Sequence, residues 1–146
     1  MRAFAGEGQA RNRYTFAAEQ ARKEGKPAIA DIFLYTADQE RAHAGRYYEL
    51  LKEASGTNIF IDGSYPVDET KTLVQLLRAA EHNEQEEAKD VYPAFADVAQ
   101  QGGFFEAAAT FQQIAEIEAE LSGYEEEKQW LKKQNFKNTA EDAYTG

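Results

Sequence analysis

The chemistry in this sequence centres on Glu40-Arg41-Ala42-His43, in the middle of a helical pattern running from Ala28 to about Ala54. Ile29, Ile32/Phe33, Thr36, Glu40, His43, Tyr47 and Leu50 recur at steps of three and four, which puts them on one helix face. That face is apolar at both ends and ionisable in its centre. A lone carboxylate there would cost several kcal/mol to desolvate, so it needs a partner. Glu and His three residues apart on a core face can hold one metal ion from a single helix. A satisfied core His beside a Glu that reaches solvent is the competing explanation, and the rest of the chain has to decide between them.

Three further stripes carry the same interruption. The first helix runs from Met1 to about Glu24 and is stopped by Gly25 and Pro27; its stripe reads Phe4, Glu7, Ala10/Arg11, Tyr14, Ala17/Ala18 and Ala21. The third helix is expected to begin near Asp68 as N-cap, with Glu69 in its first turn. Its stripe is Leu73, Leu76/Leu77, Ala80, Glu84, Glu87, Val91, Phe95 and Val98, and it ends at Gln101-Gly102-Gly103. Pro93 removes a backbone bond, so this helix should kink or split near Tyr92. The fourth starts at Phe104 and shows Ala107/Ala108, Phe111, Ile114, Glu118, Leu121 and Tyr124. Ser122-Gly123-Tyr124-Glu125 could break it, but Lys128 and Leu131 keep the stripe, which favours one helix to about Gln134 with Trp130 packing at its end.

The fold class is therefore all-α: a four-helix bundle with two short connections and one long crossover, from Ser55 to Val67. Gly25-Lys26-Pro27 is so short that the first two helices must pack antiparallel. Residues 1–134 form the expected domain and 135–146 a polar C-terminal tail. Glu7, Glu40, Glu84, Glu87 and Glu118 would then meet at mid-bundle, where carboxylates repel one another and resist ionising. Two divalent or trivalent cations would keep them ionised, and hard oxygen ligands with one imidazole suit iron or manganese. Ordinary solvation of several of these Glu is the alternative.

Composition narrows the choices. A net charge of −10 argues against nucleic acid and against an anionic membrane surface. The absence of Cys excludes disulfides, thiolate metal sites and Cys nucleophiles. No apolar run approaches membrane-spanning length and no signal peptide opens the chain, so the expected compartment is the cytoplasm.

At this point a resemblance becomes specific. Phe4-Ala5-Gly6-Glu7-Gly8-Gln9-Ala10-Arg11-Asn12-Arg13-Tyr14 is similar to the first-helix signature of the rubrerythrin family. Glu40-x-x-His43, Glu84-x-x-Glu87 followed by Tyr92-Pro93, and Ile114-Ala115-Glu116-Ile117-Glu118 resemble the other three, over roughly residues 3 to 121. The resemblance implies a ferritin-like domain with two irons bridged by Glu40 and Glu118. It implies Glu7 as terminal ligand of the first iron and Glu84 of the second, with Glu87 and His43 as alternates at the first iron. Glu87 would serve when the site is oxidised and His43 when it is reduced, and Tyr14 and Tyr92 would hydrogen-bond ligand carboxylates. The family pattern Glu-x-x-His departs here to Glu118-Ala119-Glu120-Leu121, so the second iron lacks an imidazole and should bind more weakly. His82, two residues from Glu84, lies on the far side of its helix and is no substitute. The family's lead-in to the first helix and its Cys-rich rubredoxin domain have no counterpart in the sequence.

Three functions follow, ranked. The first is a di-iron peroxidase that reduces hydrogen peroxide, with electrons from an external donor such as a rubredoxin-like protein. The second is a ferroxidase or iron-handling protein that uses dioxygen, with manganese or a mixed metal pair as variants of the centre. The third is a non-enzymatic bundle whose weakened site serves an interaction role, and Leu121 keeps it open. The resemblance also implies a homodimer, and the long crossover would permit a domain-swapped one.

Overall fold

The computed structural model describes residues 1–69 and 72–120. Expectations that fall on Leu121, on the Ser122–Glu125 break, on Trp130 and on the tail lie outside the described residues, as does the domain boundary at 134. Helix α1 spans Arg2–Lys23 and α2 spans Pro27–Glu49. A 3₁₀ turn follows at Lys52–Ala54. The third helix is built from α3 (Leu73–Glu86), a π-helical turn (Glu87–Val91) and α4 (Tyr92–Gln101). Helix α5 occupies residues 105–120. No strand occurs among the described residues, and the fold is all-α.

The turn between α1 and α2 works as its residues require. Gly25 has φ +70°, with bonds from its N–H to the Arg22 carbonyl (3.0 Å) and from the Lys26 N–H to the Ala21 carbonyl (2.8 Å). This is a Schellman ending, and the positive φ is the conformation that glycine supplies without strain. Pro27 then opens α2, where its missing N–H is not needed. The same ending recurs at Gly103, with φ +79° and a 2.8 Å bond from the Phe104 N–H to the Ala99 carbonyl.

Three expectations about element ends are corrected. Helix α2 stops at Glu49 rather than Ala54, because the chain tightens into bonds from the Leu51 N–H to Tyr48 and from the Ala54 N–H to Leu51. Asp68 does not cap the third helix; Thr72 does, accepting the Gln75 N–H at 3.3 Å. Asp68 instead accepts from Arg13 at 3.0 Å and from Asn83 at 2.9 Å. Phe104 precedes α5 and is exposed.

The third helix holds the most instructive difference. The turn just upstream of Pro93 is π-helical, where the proline has already removed a donor from the ladder. A π turn adds a residue to the turn, so the buried face slips by one position. Tyr92, Ala96 and Ala99 are the buried positions, Val91 and Phe95 are only partly buried against the core, and Val98 is 70% exposed.

The core has two apolar regions separated by a charged layer. At one end, small residues of α1 (Ala10, Ala17, Ala18, Ala21) and α2 (Ala30, Ala37) let the helices approach closely around Phe33, Leu73 and Leu77. Fully burying one such large side chain is worth roughly 1.5–3 kcal/mol. At the other end Ala3, Tyr47, Tyr92, Ile114 and Ala115 pack with Phe95 and Phe111. Between the two lie Glu7, Glu40, His43, Glu84 and Glu118, all buried.

The long crossover is tied along α1. Arg2 pairs with Asp62 at 2.9 Å, the Gln9 amide donates to the Pro66 carbonyl, and Arg13 reaches Asp68. Arg2, Gln9 and Arg13 share a helix face beside the one that carries Glu7 and Tyr14, so the connection is held in register over the charged layer.

Candidate metal centre

Each helix delivers its carboxylate from the middle of a buried stripe. Glu7 enters from α1, Glu40 and His43 from α2, Glu84 from α3, Glu87 from the π turn and Glu118 from α5. Glu7, Glu40, His43 and Glu118 each offer a ligand atom within 4.8 Å of one another, and so do Glu84, Glu87 and Glu118. Glu118 belongs to both groups. Glu87 falls with Glu84 and Glu118, and the Glu7 carboxylate acts on it as a like charge. Glu87 is also the half-buried member of the set.

Nδ1 of His43 is 2.7 Å from Oε1 of Glu118, 3.8 Å from Glu7 and 3.9 Å from Glu40. Apart from that close His43–Glu118 contact, both oxygens of Glu40 and Oε2 of Glu7, of Glu84 and of Glu118 are buried without a hydrogen-bond partner. A buried unpaired carboxylate is among the costliest features a protein can carry. Lone pairs of hard donors that face one another across a few ångströms fit cations between them. The donor set therefore fits two metal ions, one beside each group.

The surroundings aim this set. The Tyr14 hydroxyl donates to Oε1 of Glu84, and the Tyr92 hydroxyl donates to Oε1 of Glu7. Each bond leaves the second oxygen of its carboxylate free. Burial, then the neighbouring Glu84 and Glu40 carboxylates, push the Tyr14 hydroxyl well above its ordinary range. Tyr92 rises likewise through burial and then Glu7 and Glu87, so both tyrosines stay protonated donors. Burial, reinforced by like charges, pushes Glu40 and Glu118 well up. Glu87 is pushed up to about 9, by burial and then by Glu7 and Glu84, with Arg13 opposing the rise.

His82 points outward, 76% exposed and 3.9 Å from Glu86. Four neighbours escaped sequence reasoning as parts of the site: Tyr47, Arg13, Asp68 and Asn83. Tyr47 was legible as core, but its hydroxyl is pushed up by burial and by Glu7 and Glu118, which places it beside the cluster. The Arg13–Asp68–Asn83 network joins α1, the crossover and α3, and no spacing within one helix announces it.

Comparison with known proteins agrees with this architecture. The sequence model of the family described as Rubrerythrin matches residues 1–120. A rubrerythrin of Porphyromonas gingivalis is 48% identical over 120 residues, covering 82% of this chain and 58% of the relative. A rubrerythrin of Clostridium perfringens is 49% identical over 120 residues, covering 81% and 61%. The chain thus spans about three-fifths of the length of these curated relatives. Nigerythrin in its fully reduced, all-ferrous state superposes with a TM-score of 0.74 at 30% identity, covering 84% of this chain and 60% of that one. Symerythrin from Cyanophora paradoxa, at a TM-score of 0.69 and 23% identity over 86% of this chain and 79% of that one, shares the fold. With a matching family model over most of its length and a ferritin-like bundle around a buried Glu/His cluster, the chain belongs to the rubrerythrin family.

Proposed function

We propose that the protein is a non-haem di-iron oxidoreductase, and specifically a peroxidase that reduces hydrogen peroxide with electrons from an external donor. The observation that carries this reading is the set of buried, unpaired carboxylate oxygens shared among Glu7, Glu40, Glu84 and Glu118, with His43 beside them. In the proposed assignment Glu40 and Glu118 would contribute to holding both irons, Glu7 and His43 would help hold the first, and Glu84 the second. Glu87 would alternate with His43 at the first iron, and its carboxylate also lies within reach of the Glu84–Glu118 group. Bound iron would supply a redox centre and a Lewis acid.

The chain's own residues do the rest. Tyr14 and Tyr92 fix the orientation of Glu84 and Glu7, so one oxygen of each stays directed at the cation position. The apolar regions at both ends of the cluster keep bulk water out and strengthen the electrostatics inside. Glu87, half-buried and with a raised proton affinity, can hold a proton on its carboxylate whenever it is not engaged by a cation. The proposed donor, of rubredoxin-like type, would supply its own redox group, since residues 1–120 contain no cysteine. Homodimer assembly belongs to the same reading.

Stopped-flow oxidation of the reduced, iron-loaded protein tests the reading. Hydrogen peroxide should oxidise it much faster than dioxygen at equal concentration. Comparable or reversed rates would put iron oxidation by dioxygen in its place.

A further inference from the structure

A cavity of about 190 Å³ lies between the first turns of α1, the crossover around Gly63–Pro66, and the π turn; Glu87 and Tyr92 line it. A water molecule takes about 30 Å³ of liquid, so the space admits a few small polar molecules. Glu7, Glu40, His43, Glu84 and Glu118 are each at most 4% exposed, whereas Glu87 is only half-buried. Through Glu87 and through Tyr92, which donates to Glu7, the cavity borders the cluster directly.

Its outer wall is built with unusual economy. The Tyr65 hydroxyl donates to the Arg2 carbonyl at 3.1 Å, and the ring lies against Gly6 and Gly63. A Cβ added at Gly6 would stand 3.3 Å from the ring, and one at Gly63 would stand 2.7 Å from the hydroxyl oxygen. Both glycines thus leave the space that the ring fills. The Arg2–Asp62 pair fixes the same segment to α1. The lining is mostly apolar, and Arg2, Ser64, Asn83 and Glu86 add a few polar groups that a small hydrogen-bonding entrant such as a hydroperoxide can use.

We infer that this cavity is the port through which the oxidant reaches the metal centre, and that Tyr65, seated on Gly6 and Gly63, sets the size of molecule that passes. The inference rests on reading the cluster as an iron centre, and its test can fail separately from the peroxidase reading.

The chain has no cysteine, so Ser64→Cys creates a unique thiol at the cavity and Ser55→Cys one elsewhere on the crossover. Both proteins would be labelled with N-phenylmaleimide, loaded with iron and analysed for iron content. The rate of azide binding to the ferric protein is then followed by its visible absorption. The label at Ser64→Cys should slow azide association by about tenfold or more, a barrier change of ~1.4 kcal/mol, and the label at Ser55→Cys should not. Equal rates in both labelled proteins, whether unchanged or equally slowed, would overturn the port. Protein that holds no iron would overturn the metal-centre reading and the port with it. Should azide respond as expected while hydrogen peroxide proves no faster than dioxygen, the port stands and the peroxidase reading falls. In Tyr65→Ala the rate with cumene hydroperoxide relative to hydrogen peroxide should rise by about tenfold. An unchanged ratio would remove Tyr65 from the role of size filter.

Discussion

At the scale of single residues, a carboxylate in the middle of this bundle is tolerable only in company. Glu7 shows how the company is arranged: one oxygen receives the Tyr92 hydroxyl and the other is left unpaired in the cluster. Tyr92→Phe removes the group that aims Glu7 and should weaken binding at the first metal position by about 10- to 100-fold, the usual effect of losing a supporting hydrogen bond. Calorimetric titration of the metal-free protein with ferrous iron under anaerobic conditions measures it, and an unchanged isotherm would remove Tyr92 from that role. The two positions should also differ in the unaltered chain. One group has three carboxylates and His43, and the other has three carboxylates with no imidazole among the described residues. We expect two unequal affinities, the weaker beside Glu84; two equal, tight sites would show that another side chain completes the second. The six candidate ligands were legible because each interrupts an apolar stripe at helical spacing. Tyr47, Arg13, Asp68 and Asn83 were not legible as neighbours of the site, because their roles arise from the packing of separate elements.

At the scale of elements, most of the architecture follows from periodicity and from Gly and Pro punctuation. Gly25-Lys26-Pro27 and Gln101-Gly102-Gly103 ended their helices as their residue types require. Periodicity could not foresee the inserted residue of a π turn, which shifts every position after Glu87 by one. Asp68 misled as a cap because a good capping residue is also a good partner for a nearby guanidinium, and Arg13 won. The slip of face has a direct test. Val98→Lys lies on an exposed surface and should change stability by no more than about 0.5 kcal/mol. Ala96→Leu forces extra volume into a buried position and should destabilise by about 1–3 kcal/mol. Urea denaturation of both variants reads the difference, and the opposite ranking would mean that the helix keeps its phase through Pro93.

At the scale of the whole molecule, metal, protons and stability are coupled through the same carboxylates. Burial and mutual repulsion push Glu40 and Glu118 well above the ordinary carboxylate range and Glu87 up to about 9. In the unfolded chain these groups titrate near 4.3. Between those limits the metal-free native state binds more protons than the unfolded state, so its stability must fall as pH rises, by up to about 1.4 kcal/mol per pH unit for each extra proton held. Below the unfolded range both states are protonated and the slope vanishes. The contribution is thus fully present only below the unfolded range, falls steadily above it, and for Glu87 is gone once pH passes about 9. Cations reverse the sign, because they bind the ionised form and displace those protons. Thermal unfolding of the metal-free protein should give a midpoint that drops from pH 5 to pH 8.5, while the gap between metal-loaded and metal-free midpoints widens over the same range. Self-repulsion at a net charge of −10 also lowers stability as pH rises, and Glu87→Gln separates the two effects. That variant keeps nearly all the surface charge but loses one shifted proton site, so its metal-free midpoint should fall less steeply with pH. A metal-free midpoint that is flat or rises toward pH 8.5 would mean that the cluster does not hold its protons when the cations are removed.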